Sequence, residues 1–589
     1  VRALPIPTQD RTLAELLLAG CCGPAHLTAI ADRARVVARQ SAPRSGAGSP
    51  EAPDIPGSLD PEAATCAVLA RDAALAAWEA DPLDAARAAR VSPELAGASE
   101  RGTDGLRAVL AAVAGTAAPA GAREYAALAA TRDADAVRGC LDRELARTPG
   151  NLFWLRQTVA HGLYQGEFDR VLAALRGARG ADPAPAVVPL LDRLAGEAML
   201  MAGDPEAARF LLQQSLDFLP LPATLERLAE AGRRCGDRDA ALAALRAALN
   251  ARPWNVSATL AAHDLARGTD RALCAPPGRG VVLFYTWNKA EDLDRALAAV
   301  FAAELYGARV VVLDNGSTDA TPDVLAAWAA RCGERLSVLR LPVNVGAPAA
   351  RNWLLSLKEV RSADWAAYMD DDALVEPDWL GRLGAAVRAY PAAGAWGARV
   401  VDGARPHVFQ SADLFLFDPP GPGSGAGRGG AREGLRNDAD PEQRLFRVGG
   451  LHAQVLDVGQ FRHLRPCASV TGCVHLFKAS VLLENGGFDV RFSPSQYDDL
   501  DHDLRLCLAG RVPVFQGHAA VRHGKRTGAA GVPGGPGDAG ALGNMFKLQA
   551  KHTPETVARI RETVFRAALE DYAAKVAALG SGPSGQGRG

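Results

Sequence analysis

Hydrophobic positions change their period along this chain, and the change divides it. Up to about residue 140 they recur at helical spacing in Ala- and Leu-rich patches, such as the run beginning at Leu13 and the stretch Ala70–Glu79, which predict helices of moderate amphipathicity. The Ser-, Pro- and Gly-rich stretch from Ser41 to Pro56 predicts a loop or flexible link. From 280 onward short apolar runs alternate with helical patterns. Strands are predicted at Val281–Thr286, Arg309–Asn315, Leu336–Leu341 and Ala363–Met369, with helices at Glu291–Leu305, Thr321–Ala330, Ala349–Leu357 and Trp379–Tyr390. Continuous apolar strands separated by helices imply a mostly parallel sheet covered on both faces. Ligands of such sheets bind beyond the carboxyl ends of the strands, where Thr286, Asp314 and Asp370 fall.

Between these regions the helical pattern repeats. Pro149, Pro183, Pro220 and Pro253 are separated by 34, 37 and 33 positions, and between them stand Gly166-Glu167, Gly203-Asp204 and Gly236-Asp237. Glycine accepts the positive φ of a helix end and the acid can cap the following helix, so each unit reads as two helices around a glycine–acid turn. A lone helix pair buries little, so the pairs are expected to stack. The period resembles degenerate tetratricopeptide repeats. An irregular helical bundle is the alternative. The predicted domains are a helical region over 1–140, helical repeats over 141–273, an α/β domain over 280–527 and a helical extension over 541–580. Glu555–Ala578 is its terminal helix, followed by a disordered tail. Pro419–Gly434 and Gly528–Gly540 are predicted excursions, and Phe409–Phe417 and Leu445–Val458 are candidate hairpin or edge strands.

Composition narrows the functional classes. A net charge of −2 leaves no global basic field for nucleic acid or an acidic membrane. The ten cysteines are scattered, which argues against a structural zinc module or a disulfide scaffold and for a reducing compartment. No run approaches the roughly 20 apolar residues of a membrane span. A cytoplasmic protein is expected, with any membrane work peripheral, at the inner face.

The candidate chemistry centres on Asp370-Asp371-Asp372, which follows a hydrophobic strand. Three adjacent carboxylates repel one another unless a cation or full exposure relieves them. Around this triplet an ordered series of motifs resembles the GT-A type of nucleotide-sugar glycosyltransferase, in its family 2-like inverting branch. The series is Thr286-Trp-Asn288, Val312–Asp319, Asn344–Asn352, the triplet, Thr471-Gly472, Gly486–Asp489 and Asp498-Asp-Leu-Asp501. It runs from about Val281 to His523.

The resemblance implies an α/β domain of GT-A type, preceded by the all-α repeat-like domain, that moves a sugar from a UDP- or dTDP-sugar to a hydroxyl acceptor: a glycan, a lipid-linked glycan or a protein. It implies Mn²⁺ or Mg²⁺ on Asp372 and His523, with Asp370 at the nucleotide ribose or supporting the metal. His518 is the competitor to His523, and Asp371 is a structural turn residue. By the same resemblance Asp314 accepts from the base, Thr286 opens that pocket with Asn288 nearby, and Gly346 and Arg351 help enclose the nucleotide. Inversion needs a base that takes the acceptor hydroxyl's proton. Asp499 is that base by resemblance, with Asp498 its neighbour; the family commonly has Glu-Asp where this chain has Asp-Asp.

Asp319 reads as a capping acid, and Asp501 and Asp503 as structural, with a helix beginning near Asp501. Arg522, Lys525 and Arg526 are candidates to meet phosphate. Cys467, Cys473 and Cys507 read as small buried hydrophobes. The helical repeats are expected to bind a protein partner, an acceptor or a second copy. A catalytically silent nucleotide-binding scaffold is the alternative. A nucleotidyltransferase would want a glycine-rich basic phosphate loop after the first strand, which Tyr285–Lys289 lacks.

Overall fold

The computed structural model describes residues 6–40, 61–95, 103–419, 444–524 and 536–580. The link at Ser41–Pro56, the excursion beyond Pro419, Lys525, Arg526, most of Gly528–Gly540 and the C-terminal tail lie outside the described residues. The chain forms two compact units: Val1–Ala262 with Val458–Gln460 and Leu579–Gly589, and His263–Asp457 with Phe461–Ala578.

The first unit is α-helical. Its later part contains the helix pairs Leu152–Gln165 with Phe168–Gly180, Val188–Ala202 with Pro205–Phe218, and Pro222–Arg234 with Arg238–Ala251. Gly166, Gly203 and Gly236 sit between the members of each pair at φ of +80°, +90° and +78°. The next residue's N–H reaches back across the turn, Glu167 to Gly162 O at 2.8 Å, Asp204 to Met199 O at 3.0 Å and Asp237 to Gly232 O at 2.9 Å, which closes the helix end. Asp204 and Asp237 then cap the following helices by accepting from the N–H of Ala207 and Ala240. Glu167 makes no such cap; its side chain pairs instead with Arg138 and Arg170.

The second unit is built on a sheet of strands β1 (Gly280–Thr286), β2 (Arg309–Asp314), β3 (Leu336–Arg340), β4 (Trp365–Met369), β5 (Ala373–Val375), β6 (Ala395–Asp402), β7 (Phe409–Ser411), β10 (Leu464–Pro466), β11 (Val474–Lys478) and β12 (Val514–His523). β8 (Leu416–Phe417) and β9 (Arg447–Val448) form a separate two-stranded ribbon. The main order is β10-β12-β6-β11-β4-β1-β2-β3, with β5 on β12 and β7 on β6. The apolar strand runs have a direct cause. Alternate residues enter two cores: Val282, Phe284, Val310 and Val312 one of them, Val281, Leu283, Val311 and Leu313 the other.

Three features depart from the sequence reading. β11 inserts antiparallel between β4 and β6. β6, buried along its whole length, is a strand the apolar pattern did not single out. The acidic helix begins at Asp498 rather than near Asp501, so Asp498, Asp499 and Asp501 all lie in its first turn, where carboxylates complement the helix dipole.

Candidate active site

Register brings the site together. β1 and β2 pair Thr286 with Asp314, and β4 pairs Met369 with Phe284, so the triplet leaves the sheet at the edge where Thr286 and Asp314 end. β5 doubles back antiparallel on β12 and pairs Ala373 with His523. This carries a histidine 150 positions later in the sequence to the residue next to Asp372.

His523 Nε2 lies 3.0 Å from Asp372 Oδ1 and 3.6 Å from Asp370 Oδ2. Its Nδ1 is paired with Gln410 Oε1 at 2.8 Å, and Gln410 Nε2 donates to the His523 carbonyl at 3.1 Å, so the ring is held from behind with Nε2 turned to the carboxylates. Burial works against the imidazolium, but Asp370 and Asp372 outweigh it and raise the His523 pKa to about 9. Asp372 is buried, which alone would raise its pKa, yet His523 and Lys289 hold it below the usual carboxylate range. Lys289 Nζ is 3.1 Å from Asp372 Oδ2 and 3.0 Å from Asp292 Oδ2.

The other two members of the triplet have separate partners. Asp370 accepts from the Tyr285 hydroxyl at 2.7 Å. Asp371 accepts from the Thr286 hydroxyl at 2.7 Å, so it ties the triplet to the end of β1. Burial, reinforced by its two acidic neighbours, pushes Asp371 up to about 7.

Cys473, a small buried hydrophobe by its sequence, packs in an apolar core cluster and also lies beside this centre. It is buried, and its carbonyl accepts from the Asp370 N–H at 3.0 Å. Ligand atoms of Asp370, Cys473 and His523 all lie within 4.8 Å of one another. Carboxylate, imidazole and sulfur donors converging from three strand ends, with Asp372 beside them, fit a divalent cation. No spacing rule could have found Cys473, because β11 reaches β4 by tertiary pairing. His518, the competing histidine, pairs with Asp264 at 3.0 Å and is not in this group.

The acidic pair is joined to this centre through Arg351, whose Nη2 lies 3.7 Å from Asp370 Oδ1. Asp498 is buried and its Oδ2 accepts from Arg351 Nη1 at 2.8 Å. Burial raises its pKa to about 6 against the pull of Arg351. Arg351 is itself buried, donates to the Tyr285 hydroxyl at 2.8 Å, and packs its guanidinium 5.0 Å from the ring centres of Tyr285 and Phe488. Asp499 is half-buried; its Oδ2 accepts from the Gly472 N–H at 2.7 Å and its Oδ1 from the Leu500 N–H. Asp501 pairs with Arg505 and Lys551, while Asp503 accepts from Ser469 and from the Val470 N–H.

At the end of β2 Asp314 Oδ1 accepts from the Ser317 N–H at 2.8 Å, and its Oδ2 lies 3.3 Å from Arg340 Nε. Asn288, at φ +53°, accepts from the Thr318 N–H at 2.7 Å and braces the loop after β1 against the loop after β2. Asp319 accepts from the Thr321 N–H at 3.0 Å. Gly346 is at φ +83°, and a Cβ there would meet Ser493 Oγ at 3.1 Å, so both conformation and space favour glycine. Of the aromatic residues, Trp365, Trp379 and Trp396 are core, while Trp287 and Trp353 are exposed.

Sheet order, a carboxylate triplet at a strand end and a later acidic pair on a helix N-terminus are those of an α/β domain of GT-A type. Residues 281–451 match the family model described as glycosyl transferase family 2. The chain therefore carries a GT-A-fold glycosyltransferase domain preceded by an extensive helical domain.

Two curated proteins of Rhizobium meliloti (strain 1021) are similar to part of it. The succinoglycan biosynthesis protein ExoW is 39% identical over 100 residues, 17% of this chain and 31% of the relative. The succinoglycan biosynthesis protein ExoO is 35% identical over 97 residues, 16% of this chain and 26% of the relative. The chain thus spans less than a third of the length of these relatives. Among solved structures, GalNAc-T7 with UDP, GalNAc and Mn²⁺ aligns at a TM-score of 0.36 and 12% identity, covering 51% of this chain and 58% of that one. No described helix is long and apolar enough to cross a membrane.

Proposed function

We propose that this protein is a metal-dependent inverting glycosyltransferase that moves a sugar from a UDP- or dTDP-sugar to a hydroxyl acceptor, which is a glycan, a lipid-linked glycan or a protein. The observation that carries the reading is the placement of two acidic centres with different surroundings. One is closed around His523 and suits a cation; the other, at Asp499, is half open.

Asp372 and His523 hold Mn²⁺ or Mg²⁺ in this reading, with Asp370 adjoining. The cation, when bound, neutralises charge that grows on the departing diphosphate. Lys289, beside Asp372, adds a positive charge on the same side. Asp314, Thr286, Asn288 and Gly346 line the nucleotide end, and the exposed indole of Trp287, next along the chain from Thr286, offers a stacking face for the base. Arg351 holds Asp498 and Tyr285 in place beneath the site. Asp499 Oδ takes the proton of the acceptor hydroxyl as its oxygen attacks the anomeric carbon. The helical repeats over 141–273 recruit the acceptor, a protein partner or a second copy, and the protein works in the cytoplasm, peripherally where the acceptor is lipid-linked.

The test is incubation with Mn²⁺ and a panel of UDP-, dTDP- and GDP-sugars, reading nucleoside diphosphate release in the wild type, Asp372→Ala and Asp499→Asn. Slow release from one donor by the wild type alone supports the reading and names the donor. Metal-dependent nucleotide binding with no release in the presence of any acceptor would favour a silent scaffold, and release of pyrophosphate a nucleotidyltransferase.

A further inference from the structure

We propose that Cys473 Sγ is a donor to the cation of this site and biases it toward thiophilic divalent ions, Zn²⁺, Co²⁺ and Cd²⁺, over Mg²⁺. The proposal rests on the metal-site reading above. Three observations lead to it.

The backbone of Cys473 is pinned at the site, because its carbonyl accepts from the Asp370 N–H at 3.0 Å while the next residue, Val474, begins β11 in register with Met369. The side chain is 2% exposed. Its sulfur shares a common 4.8 Å neighbourhood with an Asp370 oxygen and a His523 nitrogen. The residue belongs to an apolar core cluster, yet its sulfur has a carboxylate oxygen and an imidazole nitrogen within 4.8 Å.

Geometry and donor chemistry agree. Zn–S bonds of about 2.3 Å and Zn–N bonds of about 2.0 Å place the donors of one ion within roughly 4 Å of each other, so side-chain shifts of under about 1 Å suffice. His523 is braced through Nδ1 by Gln410, the arrangement that orients a ligating imidazole. A carboxylate-only centre suits Mg²⁺ or Mn²⁺; a sulfur donor adds most for softer ions and little for Mg²⁺. As the sulfur–metal bond forms, the thiol proton passes to solvent and the sulfur lone pair to the metal, with no change of oxidation state.

The experiment uses the full chain, stripped of metal and titrated with Co²⁺, with Zn²⁺ and Mg²⁺ affinities taken from competition and calorimetry. The wild type is expected to bind one Co²⁺ with a near-ultraviolet sulfur-to-cobalt charge-transfer band. In C473S and C473A, both checked for native circular dichroism, the band disappears and Zn²⁺ affinity falls about tenfold or more, while Mg²⁺ affinity stays within about twofold. Asp372→Ala and His523→Ala remove Co²⁺ binding at this site, which separates it from the nine other cysteines. One Co²⁺ bound without the band, at equal affinity in C473S, overturns the proposal and leaves the metal-dependent reading standing. No Co²⁺, Mn²⁺ or Mg²⁺ binding in the wild type overturns both.

Discussion

Asp498 and Asp499 are chain neighbours in opposite environments. The first is enclosed and bound to Arg351; the second is half-buried and held only by backbone N–H groups. A base must reach the acceptor hydroxyl, and of the two Asp499 is the more exposed, which fits its proposed role. Asp499→Asn is therefore expected to lower kcat by about 10²- to 10⁴-fold with the donor KM nearly unchanged, measured as nucleoside diphosphate release.

Asp264 illustrates a structural carboxylate in the same unit. It is buried, which disfavours its charge, but it accepts from the Leu464 N–H and pairs with His263 and His518, and with Lys575 nearby its pKa is depressed. A depressed carboxylate contributes stability that is fully present above its unfolded pKa of about 3.9 and is lost as pH falls below that value toward the folded one. Asp264→Asn is expected to cost about 3 kcal/mol at neutral pH and to flatten the decline in stability below about pH 4, followed by urea unfolding across pH. An unaltered acid slope would contradict this.

Among the elements, the helix Pro536–Lys551, which precedes the last helix of the chain, holds the turn before the acidic pair. Asn544, 1% exposed, donates through Nδ2 to Phe492 O at 2.6 Å and Ser495 O at 2.9 Å, with Gln496 O at 3.3 Å. Those carbonyls belong to the turn that ends at Tyr497, φ +70°, immediately before Asp498. Lys547 and Lys551 secure the same region through Arg491 O and Asp489. Asn544→Ala leaves buried carbonyls unpaired, a cost of about 1–3 kcal/mol, and loosens the turn that carries Asp499. Reduced kcat with unchanged nucleotide affinity is the expected split; an equal loss of nucleotide binding by calorimetry would mean that the helix supports the whole domain.

For the whole molecule, two compact units predict more than one unfolding step. Differential scanning calorimetry is expected to resolve two transitions. Mn²⁺ with the matching nucleoside diphosphate at about a hundred times its Kd should stabilise one of them by about 2.7 kcal/mol and leave the other in place. A shift of both, or of neither, would place nucleotide binding elsewhere than the α/β unit.

Local pattern determined much of this protein by itself. The paired helices around Gly166, Gly203 and Gly236, the strands from Gly280 to Met369, and the arrival of Asp370–Asp372 at a strand end were all legible, because helix ends, strand burial and turn chemistry depend on residues within a few positions of one another. Asp371 was read as turn structure, and its bond to Thr286 is a contact that local pattern does not encode. Tertiary structure alone decided the rest. The antiparallel insertion of β11 set Cys473 against Asp370, the pairing of β5 with β12 carried His523 to Asp372, and Asn544 came to the turn before Asp498 from beyond the end of the sheet. Strand pairing between distant segments is a choice of partner and register, made by packing across the whole domain, and no local pattern records it.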